Sequence, residues 1–197
     1  MKKNTNKFIF LIIGGMLFMK TNISLLAKKS IEKTIKLEGG YSNHINDSGG
    51  CTSMGITESV ARANGYNGDM RDLSYEMAVE IYYNEYWKTL RLDDIYDEEL
   101  SYMVYDCGVN CGIKTSARLL QKATNWAYKK DVLAEDGMIG KNTIEIVNEY
   151  KDVDRIKVLF EMLKIARYVE ITEARDKNKA FIYGWSRRTV VYDAIKK

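Results

Sequence analysis

Apolar residues recur at helical spacing along most of the chain. Ile31, Ile35 and Leu37 predict a short amphipathic helix from Lys28 that stops at the Gly39, Gly40 pair. Residues 41–56 hold turn formers and few apolar side chains, which predicts a small hairpin or irregular lobe. A short helix follows over 58–64, closed by Gly65. Ser74 reads as the N-cap of a helix running to Trp87, with Met77, Ala78, Ile81 and Tyr82 inward. Residues 98–109 predict another helix, ended by "NCG". Residues 114–130 predict a longer one. Ala117, Leu120, Gln121 and Thr124 share one of its faces, and Leu119, Ala123 and Trp126 an adjacent face. "EDGMIG" (135–140) is a turn, and 141–150 a short helix. The longest helix covers 154–176, with Ile156, Leu159, Phe160, Leu163 and Ala166 at core spacing. There is no internal repeat and no low-complexity segment. The pattern predicts a mostly α protein with one small irregular or β region.

The first 27 residues stand apart. Lys2, Lys3 and Lys7 precede the apolar run "FIFLIIGGMLFM" (8–19), followed by Lys20, a polar stretch and "SLLA". The run is short for a bilayer span and suits the core of a secretory signal. Ala27 can close a cleavage site, although Leu25 is a poor partner for it. The expectation is a signal peptide or an N-terminal membrane anchor over 1–27; the alternative is a buried N-terminal helix.

A chain of 197 residues supports one core of ordinary size, or two small lobes packed closely together. Its hydrophobic content of 46% excludes a disordered chain. Proline is absent, so glycine must mark the boundaries. The net charge of +3 is smaller than the charge of Lys2, Lys3, Lys7 and Lys20 together, so the body is close to neutral. That argues against a nucleic-acid partner. Three cysteines (Cys51, Cys107, Cys111) give no disulfide framework. Cys107 and Cys111 share a helix face as small core residues. With His44 as the sole histidine, no metal site is expected and no cofactor motif is present.

The stretch "KLEGGYSNHINDSGGCTSMGIT" (36–57) carries the candidate chemistry. A glutamate at a helix C-terminus meets the negative end of the dipole, so ionising it is harder. A carboxyl that keeps its proton is what a general acid needs. Gly39 can turn the chain sharply, and Gly40 leaves the space beside Glu38 open. Nine residues on, Asp47 sits in a polar turn that favours its ionised form, and Thr52 and Ser53 follow on the return arm. Two carboxyls in different environments are the minimal apparatus for cutting a glycosidic bond. The alternative is a helix that ends at glycine beside ordinary surface acids. Nothing suggests a Ser–His–Asp arrangement.

These residues resemble the signature of the glycoside hydrolase family 108 muramidases: Glu–Gly–Gly–Tyr, an Asn two residues later, then Asp, Gly–Gly, Thr and Gly–Ile–Thr. The family carries proline in the turn, where this chain has residues such as Ile45 and Ser48. The resemblance continues in order through "DLSYEMAVEIYYNEYW" (72–87), "YDCGVNCG" (105–112), "LLQKATN", "EDGMIGKNTI" and "FIYGWSRR", over roughly residues 31–190. The later segments resemble the predicted peptidoglycan domain that accompanies the family. The resemblance implies a lysozyme-like fold, mainly α and of α+β type, in which a helical bundle lobe and a small hairpin or irregular lobe flank a cleft. It also implies peptidoglycan glycan strands as partner, cut between N-acetylmuramic acid and N-acetylglucosamine. It makes Glu38 the proton donor, with Asp47 and Thr52 placing or activating water. The implied organisation is 1–27 signal or anchor, 28–92 catalytic region and 93–197 peptidoglycan-binding helical region, packed as one unit.

Tyr41, Tyr86 and Trp87 are candidates to stack on sugar rings, with a core role as the alternative for Trp87. Asn43, Ser53, Asn110 and Gln121 are candidates to hydrogen-bond substrate. Trp185 and Arg188 match a C-terminal Gly–Trp–x–x–Arg, read as structural: a buried arginine–carboxylate or cation–π contact. The functional expectation is an exported, monomeric lysozyme that acts in the periplasm or cell wall, in lysis or in local wall remodelling for secretion. The alternatives are a non-catalytic peptidoglycan-binding protein on the same scaffold, and a lytic transglycosylase.

Overall fold

The computed structural model describes residues 10–13, 16–19, 22–42 and 51–189. Two short strands, β1 (Phe10–Ile13) and β2 (Met16–Met19), pair antiparallel within the apolar N-terminal run. Among the described residues no helix is long and apolar enough to cross a membrane.

Helix α1 (Leu25–Glu38) starts where the Ser24 hydroxyl accepts from the Ala27 amide and ends at Gly39, whose φ of 83° suits glycine. Ala27, Ile31, Thr34 and Ile35 face the core, while Leu37, expected on that stripe, is exposed at the helix end. A small hairpin follows, β3 (Thr52–Ser53) and β4 (Ile56–Thr57). Met54 and Gly55 both have positive φ (50° and 78°), the backbone of a tight two-residue turn that matches strand twist. Thr57 then caps α2 (Glu58–Ala63).

Ser74 caps α3 (Tyr75–Tyr82) as expected, but the helix does not continue regularly to Trp87. It widens into a π-helical segment over Tyr83–Lys88. Asp93 gathers this region. It accepts hydrogen bonds from Trp87 Nε1 (2.9 Å), Tyr83 Oη (3.1 Å) and Ser24 Oγ (2.7 Å), and so ties the start of α1 to the end of this turn.

The main lobe is a helical bundle of α4 (Glu98–Cys111), α5 (Ile113–Tyr128), α6 (Lys141–Glu149) and α7 (Val153–Ala174), followed by the short α8 (Ile182–Ser186). Helix α5 packs against both α4 and α7. Trp87, Tyr105, Leu100, Leu120, Ile156 and Phe160 are fully buried at its centre. The mainly α architecture with a small β region at β3–β4 is the one the apolar pattern predicts; the β1–β2 pair is not expected from it. Trp126 is exposed on the outer face of α5 with the Lys122 ammonium 5.2 Å over its ring. One inward assignment is corrected. Ala166 points outward on α7, because Glu161 and Lys164, paired at 2.9 Å, turn inward instead.

Candidate active site

The site is built around the last residue of α1. Glu38 leaves the helix where Gly39 turns the chain, and a Ser42–Thr52 bridge brings that chain back beside β3 through two 2.8 Å backbone bonds. The Met54–Gly55 turn then packs onto the Glu38 stem. A Cβ on Gly55 would lie 2.8 Å from Glu38 Cβ and Cγ and 2.5 Å from Tyr82 Oη. Tyr82 Oη donates to the Met54 carbonyl at 3.1 Å, fixing the turn from the other side. Burial, reinforced by the nearby Glu38 charge, pushes the Tyr82 phenol far above its ordinary range, so it remains a neutral donor. Tyr86 is raised for the same reasons, and its ring lies 5.8 Å from that of Tyr82.

The Glu38 carboxyl does not stand alone at the helix end as the sequence suggested. Arg188, beyond α8, reaches across the molecule and places Nη2 2.6 Å from Glu38 Oε1. Its other nitrogen, Nη1, lies 3.0 Å from Oδ1 of Asp106, a buried residue of α4. Asn110, one turn further along α4, donates to the Asp106 carbonyl (2.7 Å) and to its Oδ1 (3.4 Å). The Arg188 carbonyl accepts from buried Lys164 at 3.0 Å, which holds its backbone in place. The two carboxylates hold the Arg188 proton more firmly than usual, against the opposing effect of its burial. An arginine fork can serve two acids in this way; a lysine cannot.

Of the sequence candidates, Glu38 is at this centre. Thr52 lies on β3, paired with Thr57 and bridged to Ser42. Ser53 is buried on the same strand. Asp47 and Asn43 lie outside the described residues. Tyr41 is exposed, with the Arg71 guanidinium 5.7 Å over its ring. Gln121 is buried, and its amide is engaged by the 136–138 turn: it donates to Asp136 Oδ1 (2.7 Å) and the Met138 carbonyl (3.0 Å) and accepts from Gly137 N (2.9 Å). Trp87 has no exposed surface, so the sugar-stacking option for it is corrected to a core role. Arg188 does make the arginine–carboxylate contact read for it. Trp185 stacks on Tyr168, with ring centroids 5.6 Å apart. Sequence reasoning missed Asp106. Its signal was an acid set in the inward run Met103, Val104, Tyr105, Cys107, where a charge needs a counter-charge.

No metal-binding cluster occurs among the described residues. Cys107 is buried, Cys51 and Cys111 are partly so, and all three are free thiols.

Residues 31–112 match the family described as Glycosyl hydrolase 108, and residues 115–190 the one described as Predicted Peptidoglycan domain. Glu38 and Asp106 thus fall in the first segment and Arg188 in the second. The solved structure of SagA from Brucella abortus is similar to this chain, with a TM-score of 0.65 and 25% identity over 82% of this chain and 88% of that one. No curated protein sequence matches the chain significantly.

Proposed function

Through residues 31–112 the chain belongs to the glycosyl hydrolase 108 family, with a predicted peptidoglycan domain behind it, and on that premise we propose that it is an N-acetylmuramidase. The reaction is hydrolysis of the bond between N-acetylmuramic acid and N-acetylglucosamine. Glu38 gives a proton to the glycosidic oxygen as the C–O bond breaks. Asp47 and Thr52 place the water that attacks the anomeric carbon, and Asp47 takes the proton that this water loses. Tyr41 and Tyr86 offer flat faces to the sugar rings.

One observation carries the reading. A glutamate ends its helix under a glycine turn, with its stem packed and its carboxyl oriented by the Arg188 guanidinium. Such pre-organisation is what a reacting group needs and what a surface acid lacks. The two domains point to action on the wall side of the membrane, in lysis or in local wall remodelling. The lysine-flanked apolar run over 8–19 suits delivery there.

The test is digestion of purified peptidoglycan by the wild-type chain beside Glu38→Gln, with mass spectrometry of the fragments. Reducing muramic ends from the wild type alone support the reading. Anhydro ends would move the protein to the lytic transglycosylases. Wall binding without fragments would make it a binding module.

A further inference from the structure

The Arg188 fork raises a chemical difficulty. The guanidinium occupies Glu38 Oε1 at 2.6 Å, the side of the carboxyl that a glycosidic oxygen would have to reach. The partner at the other end of the fork offers a way out. Asp106 is 2% exposed, and its Oδ1 already receives Arg188. Its Oδ2 is buried with no hydrogen-bond partner among the described residues. A buried carboxylate oxygen without a donor is costly, and two parallel N–H bonds from an arginine are its best complement.

We propose that Arg188 is a positioning residue with two seats: it orients the Glu38 carboxyl in the free enzyme, and closes fully onto Asp106 when a glycosidic oxygen takes its place at Glu38. This rests on the reading of Glu38 as the acid. As the guanidinium leaves, the Glu38 carboxylate takes up one proton from a solvent hydronium ion, which becomes water. It gives that proton to the glycosidic oxygen as the C–O bond breaks. Lys164, paired with Glu161 and bonded to the Arg188 carbonyl, holds the backbone still, so the movement is confined to the side chain.

The neighbouring charges support this division of labour. Tyr82 and Tyr86 face Glu38, and burial keeps both phenols neutral. Asp106 meets Tyr105 and Cys111 from its own helix and Tyr168 from α7. Cys111 also feels Cys107, Lys164 and Arg167. The charges around the fork are Glu38, Asp106, Arg188 and the Lys164–Glu161 pair, with Glu85 beside Tyr86 and Arg167 beside Cys111.

The experiment is the pH–rate profile of peptidoglycan digestion by the full chain, with thermal melting of each variant. Arg188→Gln should move the alkaline limb to higher pH and lower the rate by about 10- to 100-fold, through lost orientation. Arg188→Lys keeps a positive charge, so its limb should stay near the wild type while the rate falls, because one ammonium cannot fork. Asp106→Asn removes the second seat, and the limb should move to lower pH. Opposite movements of the limb follow from the lost charges alone, so the two seats are read directly as well: a crystal structure of the full chain with a bound chitooligosaccharide should show both Arg188 terminal nitrogens on the two Asp106 oxygens and none on Glu38. Unmoved limbs, limbs that move together, or a guanidinium still seated on Glu38 beside the bound sugar overturn the proposal. If Asp106→Asn does not fold, the liganded wild-type structure decides alone. An inactive Glu38→Gln with unmoved limbs overturns this proposal and spares the reading of Glu38. An active Glu38→Gln overturns both.

Discussion

Arg188 and Glu38 lie 150 residues apart in the chain, and their side chains meet at 2.6 Å. The contact joins the peptidoglycan-domain segment to the acid of the hydrolase segment. The Glu38 side chain is 29% exposed, so the pair contributes little to stability. Glu38→Gln should therefore melt close to wild type, while digestion falls by about 100-fold or more, the usual scale of a lost general acid. Melting and digestion measured on the same sample check both halves.

Gly55 is the position where the hairpin touches the acid. Gly55→Ala puts a methyl against Tyr82 Oη and the Glu38 stem at a φ of 78°. The backbone alone costs roughly 1–2 kcal/mol. Calorimetry should show lower stability, and digestion should fall further than the melting shift explains, because the turn moves off Glu38.

Trp87 holds the irregular end of the α3 region through Asp93. Trp87→Phe removes its 2.9 Å bond and leaves part of a fully buried volume unfilled. The loss should be about 1–3 kcal/mol, read by urea denaturation.

Asp136 is held below its ordinary range, first by its hydrogen bond from Gln121 and then by the Met138 amide. Its contribution to stability is present above the unfolded-state value of about 4 and is lost as pH falls through the lower folded-state value. Melting temperatures between about pH 5 and pH 2.5 should fall less steeply in Asp136→Asn than in wild type.

The thiols should separate by reactivity. A hydrogen bond from Cys107 lowers the Cys111 thiol, helped by Arg167 and Lys164, while that same contact and burial push Cys107 well up. Burial and Glu58 raise Cys51. Brief alkylation of the folded chain should mark Cys111 first and Cys107 last, as peptide mass spectrometry would show.

Local signals in the sequence carried much of this structure. Ser74 and Gly39 act within a few residues of themselves, and both do what their chemistry dictates. Helical spacing found the buried faces of α4 and α5, because hydrophobic burial repeats along the chain. It failed at Ala166, which a buried Lys–Glu pair displaces. The π-helical segment at Tyr83–Lys88 was illegible, since Asp93 and Ser24 together fix it from outside the helix. Glu38 was legible because its motif is contiguous. Its partnership with Arg188 was not, because no local pattern says which acid a distant arginine will reach.

The distance between those two residues along the chain also imposes an order in time. A polypeptide that is made, or threaded through a membrane, N-terminus first presents Glu38 early and Arg188 late. Until the chain has been made as far as Arg188, Glu38 lacks the side chain that meets its carboxyl. A contact of this kind closes only when both matched segments are present, so the first segment alone cannot form it.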